Sequence, residues 1–168
     1  IQKCRVWNRD MERAEQYREE MQSELGMEIQ VCAEPEEVCR NSDVIVTVTP
    51  SRVPIVMADW VQPGTHICAI GADGPGKQEL DPKIFAKSRC FVDSLSQCVV
   101  NGETANPIRE GIITERTVAG EIGDVLLGRI KGRTSKDEIS IFDATGMSVL
   151  DNAAAAGLYR RAAECGIG

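Results

Sequence analysis

Short apolar runs alternate with amphipathic stretches along most of the chain, and that alternation predicts strands and helices in turn. The runs place strands at residues 4–7, 29–32, 43–48, 66–70, 90–92 and 139–142. Between the first two, Met11, Ala14, Tyr17, Met21 and Leu25 recur at helical spacing, with Asp10 placed to cap the helix and Gly26 to end it. Further helices are expected over 34–40, where Pro35 is tolerated in the first turn, and over 82–88, 94–100 and 118–127. A long Ala-rich helix is expected over about 149–165. Residues 49–54 read as a Pro- and Ser-rich loop, 58–61 as a turn, 101–117 as irregular and 128–137 as a polar loop. Strands apolar on both faces and separated by helices imply a parallel sheet covered on both sides, which is a doubly wound α/β fold. That domain is expected over 1–135, followed by a C-terminal segment over 136–168 whose small residues suit close helix packing.

Composition narrows the picture. A chain of 168 residues, 42% of them apolar, can bury one real core. Its 26 acidic residues outnumber 19 basic ones, and no cluster of Lys and Arg could neutralise a run of phosphates, so nucleic acid is not an expected partner. The seven cysteines are odd in number, form no C-x-x-C pair and sit mostly in apolar runs, as reduced core residues of a cytoplasmic protein would. No apolar run approaches the roughly 18 residues of a membrane span, so no membrane partner is expected. The chain opens without Met and enters a strand almost at once, so a fragment of a longer protein is expected.

Ligands of doubly wound sheets bind beyond the carboxyl ends of the strands. Three segments therefore carry the candidate chemistry: Asn8-Arg9-Asp10, Thr47-Val48-Thr49-Pro50 and Gly71-Ala72-Asp73. In a dinucleotide-binding sheet the residue after the second strand meets the adenosine ribose, and an Arg there pairs with a 2′-phosphate. Arg9 fits that role, or is a solvated residue before a capped helix. Thr47 and Thr49 offer hydroxyls to a ligand, although threonine is also an ordinary strand residue. In GADGPGKQEL, glycines at 71, 74 and 76 hold Asp73 at a strand end, where its carboxylate could orient an ammonium or iminium group, with Lys77 able to contact a phosphate. A turn closed by an Asp–Lys pair is the alternative. His66, the one histidine, opens a strand at the end away from these segments and is expected to be structural. No residues have metal-ligand spacing, and there is neither a G-x-S-x-G elbow nor a P-loop.

The succession VWNRDMERAE, DVIVTVTPSRVPIV, PGTHICAIGADGPGKQELD, CFVDS, GEIGDVLLGR and GRTSKDEISIFDATGMSVLD resembles the ornithine cyclodeaminase/mu-crystallin family, in order and over essentially the whole chain. The resemblance implies a Rossmann-like domain that binds NAD(P), with a C-terminal segment returning to a dimerisation and substrate domain, in a homodimer. It implies an NAD(P)-dependent oxidoreductase or cyclodeaminase acting on the C–N bond of a small amino acid or cyclic imine. A non-catalytic mu-crystallin-like binder is the alternative. By the family pattern, Asp73 matches the catalytic aspartate facing the substrate nitrogen, and Ile67, Cys68, Ala69 and Ile70 match the strand on the nicotinamide side. Thr47 and Thr49 match the cofactor loop, Lys77 a cofactor-contacting lysine, and Thr145 and Gly146 the turn beside nicotinamide and substrate. Asn8 and Arg9 fall where the family reads the ribose, and Arg9 in place of an acid favours NADP(H). The family's glycine-rich turn and the basic residues that hold the substrate carboxylate have no counterpart here, so these 168 residues alone are not expected to be a competent enzyme.

Overall fold

The structure, a computed structural model, describes residues 1–167. Helix α1 (Met11–Leu25) follows strand β1 (Cys4–Val6), and its ends form for local reasons. The Asp10 carboxylate accepts from the Glu12 and Arg13 amides at 3.1 and 3.4 Å, and Gly26 closes the helix in the left-handed region at φ 64°. After β2 (Ile29–Val31) come α2 (Pro35–Arg40), β3 (Val44–Thr47), β4 (His66–Ala69), β5 (Ser88–Val92), α3 (Leu95–Asn101), α4 (Ala105–Arg109) and β6 (Gly120–Glu121). Helix α5 (Ile122–Leu126), strand β7 (Ile139–Asp143) and helix α6 (Ser148–Glu164) complete the order.

All strand pairs are parallel, as helical crossovers require. Strands β1 and β2 pair with each other, and a separate sheet of five strands runs β3-β4-β7-β5-β6. The larger sheet is packed hard on one face. Ile45, Ile67, Ala69, Ile141, Cys90 and Val92 meet Cys39 of α2, Cys98 of α3, and Leu80, Ile84 and Phe85 of the segment between β4 and β5. Ile67, Leu80, Ile84 and Ile141 are 0% exposed, and each such side chain contributes roughly 1.5–3 kcal/mol.

Cover of the second face is uneven across the sheet: Phe91, in register with Phe142 on that face, is 5% exposed, while β3 is open. Val44, Val46 and Val48 are 57%, 59% and 68% exposed, on the face that also carries half-buried Cys68 and Phe142. Their apolar character shows that this face is built for cover, while α2, α3 and the 82–87 turn all pack against the opposite face. Four local expectations also change. Residues Pro82–Lys87 form a 3-10 helix, α4 interrupts the stretch expected to be irregular, and the helix expected over 118–127 begins as β6. The boundary drawn at 135 divides the sheet, because β7 is its middle strand; the α/β unit runs through Asp143, and α6 is what leaves it. The polar loop over 128–137 connects α5 to β7, within the α/β unit. No residue of α6 is buried, so its Ala-rich surface is free of this chain's core.

Candidate functional site

The carboxyl ends of β3 and β4 are held together by one acid. Glu79, 0% exposed, accepts the Thr49 amide on Oε1 at 2.6 Å and the Gly71 amide on Oε2 at 3.1 Å. The Ile70 amide also donates to the Thr47 carbonyl at 3.0 Å, so the Thr47–Thr49 and Gly71–Asp73 segments lie side by side. The junction is tight: a Cβ on Gly71 would overlap both the Glu79 carboxylate and the Thr49 carbonyl, so glycine is needed for close approach. The hydroxyl of Thr49 accepts the Ser51 amide at 3.2 Å, and that of Thr47 is buried without a hydrogen-bond partner.

Beyond Ala72, which is 0% exposed, the chain returns to the surface. Asp73 is exposed, and Lys77 donates to its carboxylate from the following turn, where Gly76 takes φ 75°. The Lys77 hydrogen bond first, and its charge second, hold the Asp73 carboxyl below the usual carboxylate range. The Asp73 carboxylate is thereby suited to exchange Lys77 for an incoming cation.

A second group of acids closes the ends of β5 and β7. Asp93 accepts the Ser94 amide at 2.7 Å and the Gly146 amide at 2.8 Å, which fixes the Thr145–Gly146 turn against β5. Thr145 also donates its hydroxyl to Gln97 at 3.2 Å. Asp143 accepts the amides of Glu103 and Thr104 at 3.2 and 2.9 Å and the Thr104 hydroxyl at 2.5 Å. Glu103 in turn accepts the Glu79 amide and, at 3.1 Å, the Leu80 amide. Burial pushes the Glu103 carboxyl up to about 8 against these two amides, and burial likewise pushes Asp143 to about 6. These oxygens are occupied by N–H and O–H donors, and among the described residues no group of His, Cys, Asp and Glu is arranged to hold a metal ion.

The expected residues thus separate into three sets. Thr47, Thr49, Ile70, Asp73, Lys77, Thr145 and Gly146 lie at the carboxyl edge of the larger sheet. Along β4 and the residue after it the side chains divide: Ile67 and Ala69 are fully buried in the core and leave only backbone to a ligand, whereas Cys68 and Ile70 point to the open face. Asn8 and Arg9 follow β1 on the two-stranded unit; Asn8 accepts the Asp10 amide at 2.9 Å, and Arg9 is exposed. His66 sits at the amino edge, its Nδ1 2.8 Å from Ser140 Oγ, with its pKa lowered by burial and then by Arg133. Glu79, Glu103, Asp93 and Asp143 were missed. Two of them carried a readable signal, since Asp93 and Asp143 each directly follow an apolar run, as Asp73 nearly does.

The family model for the ornithine cyclodeaminase/mu-crystallin family matches residues 1–166. This chain belongs to that family. It is 46% identical to an alanine dehydrogenase of Archaeoglobus fulgidus, over 83% of this chain and 44% of that protein. Its structure superposes on Thermococcus litoralis Delta(1)-pyrroline-2-carboxylate reductase in complex with NADH and L-proline at TM-score 0.95 and 32% identity, over 100% of this chain and 52% of the other. It superposes on an archaeal alanine dehydrogenase dimer with bound NAD at TM-score 0.92 and 40% identity, covering 100% and 52% of the two chains. The chain thus spans about half the length of the curated relatives it matches. The Rossmann-like architecture is that of the family. The residues present fit a pyridine nucleotide on one observation: the apolar strand face bearing Cys68, Ile70 and Phe142 is left open toward the carboxyl edge.

Proposed function

We propose that this chain is the dinucleotide-binding part of an NAD(P)-dependent enzyme that acts on the C–N bond of a small amino acid or cyclic imine, as a reductase, dehydrogenase or cyclodeaminase. The observation that carries this reading is the shared edge: the Thr47–Thr49 segment, the Asp73–Lys77 pair and the Thr145–Gly146 turn end adjacent strands of one sheet and are tied into one frame. A nicotinamide bound along that edge supplies hydride exchange with the substrate α-carbon. Asp73 holds the substrate's ammonium or iminium nitrogen by a charge-assisted hydrogen bond and accepts or returns its proton. Lys77 keeps that carboxylate charged until the substrate cation replaces it. Thr49 and the neighbouring backbone orient the cofactor, and Cys68 and Ile70 give its ring an apolar floor. Arg9 reads a 2′-phosphate, which makes NADP(H) the favoured cofactor although the relatives above carry NAD or NADH.

The exposed apolar side chains of α6, among them Leu150, Leu158 and Tyr159, support a homodimer through this helix, and the free cysteines support a reducing, cytoplasmic setting. One observation favours a second reading as a non-catalytic binder: Asp73 is already satisfied by Lys77, as a purely structural turn would require. Absorbance of NADPH and NADH, followed with the full-length protein against a panel of amino acids and cyclic imines, separates the two. Turnover supports the enzyme; cofactor binding without turnover on any member supports the binder.

A further inference from the structure

We infer that Glu79 is a positioning residue, whose two carboxylate oxygens set the spacing between the cofactor segment after β3 and the Asp73 segment after β4. The inference rests on the functional reading above and deepens it. Each Glu79 oxygen takes one amide, Thr49 on one side and Gly71 on the other, and Asp73 lies two residues beyond the second. The acid cannot drift, because its own amide and that of Leu80 donate to Glu103. Glu103 is fixed in turn, since its amide and that of Thr104 donate to Asp143 at the end of the middle strand. Glycine again permits the contact, for a Cβ on Gly102 would overlap the Asp143 carboxylate.

Three fully buried acids, Glu79, Glu103 and Asp143, therefore link the ends of β3, β4 and β7 through backbone amides. A buried charge with no cation beside it is costly, and burial of a carboxylate is tolerated where donors satisfy its oxygens. Simple turn closure would need one acceptor per loop. A single group that accepts from both loops makes their separation depend on one side chain, and a displacement of about 1 Å at a reacting group is enough to cost on the order of 100-fold in rate.

The test is Glu79→Gln in the full-length protein. Glutamine keeps the shape but presents an amide donor at one end, so either the Thr49 or the Gly71 amide faces another donor. The expected result is a kcat at least about tenfold lower per folded molecule, with the cofactor KM raised and the thermal midpoint changed by a few degrees at most. Hydrogen exchange on the same variant should show lost protection at Thr49 or Gly71. A kcat per folded molecule equal to wild type overturns the inference, whatever happens to stability. Should the variant fail to fold, exchange in the wild-type protein decides: slow amides at both Thr49 and Gly71 support the anchor, and a fast amide at either overturns it. Wild-type protein without turnover overturns the functional reading and this inference together, whereas active wild type with an unaffected variant overturns this inference alone.

Discussion

The two edges of the five-stranded sheet bury polar groups in different ways. At the amino edge, His66 faces Ser140, and Arg133 donates to the Gly64 carbonyl at 2.7 Å and to Ser140 at 3.3 Å. These contacts join neighbouring strands and hold no segment out for a ligand. At the carboxyl edge, four acids that are at most 4% exposed accept backbone amides, among them amides from the segments following β3, β4, β5 and β7. Only one edge uses buried carboxyl groups to fix the separation of loops, and that is the edge where a doubly wound sheet binds ligands.

The difference is broken most directly at the reacting group. Asp73→Asn in the full-length protein should lower turnover by roughly 100-fold or more, with cofactor affinity changed by no more than about threefold, measured by steady-state kinetics and fluorescence titration. Unchanged turnover would reduce the Asp73–Lys77 pair to a surface turn. In the core beneath both edges, Ile67→Ala should cost about 2–5 kcal/mol in denaturant unfolding without changing cofactor preference.

Replacement of Glu103 by Gln sharpens the contrast through pH. The native state keeps the Glu103 proton up to about 8, while an unfolded glutamate releases it near 4.5. The folded state therefore binds more protons between those values, so this group's contribution is complete below about 4.5 and is lost as pH rises through about 8. Asp143 acts with the same sign between 3.8 and about 6. Thermal melts from pH 4 to 9 should show wild-type stability falling across the upper window and a shallower fall in the variant. The smallest effect belongs to the amino edge. His66→Gln should leave turnover within about twofold and cost about 1 kcal/mol, the worth of one lost hydrogen bond.

Much of the sheet was legible because its strands are unbroken apolar runs, and the carboxyl-edge rule then selected Thr47, Thr49 and Asp73. Strand β6 escaped because Gly120 and Glu121 carry no apolar pattern and pair with β5 over only two residues. Helix α4 escaped because Asn106 and Pro107 suggest a turn, yet proline is tolerated in a first turn. Val44, Val46 and Val48 report a preference for burial and not what provides it. Most instructive are the acids. Glu79 sits in a polar stretch, Gln78-Glu79-Leu80-Asp81, where any carboxylate reads as solvated, and its burial follows from the loop packing that only the fold supplies.

The central claim, that the carboxyl edge receives the cofactor, is tested most directly by hydrogen exchange of the full-length protein with and without NADPH or NADH. The account predicts new protection in residues 47–51, 70–78 and 144–146, with the amino edge around His66 and Ser140 unchanged. Protection confined to the amino edge, or bound cofactor with no change in those three segments, would contradict it.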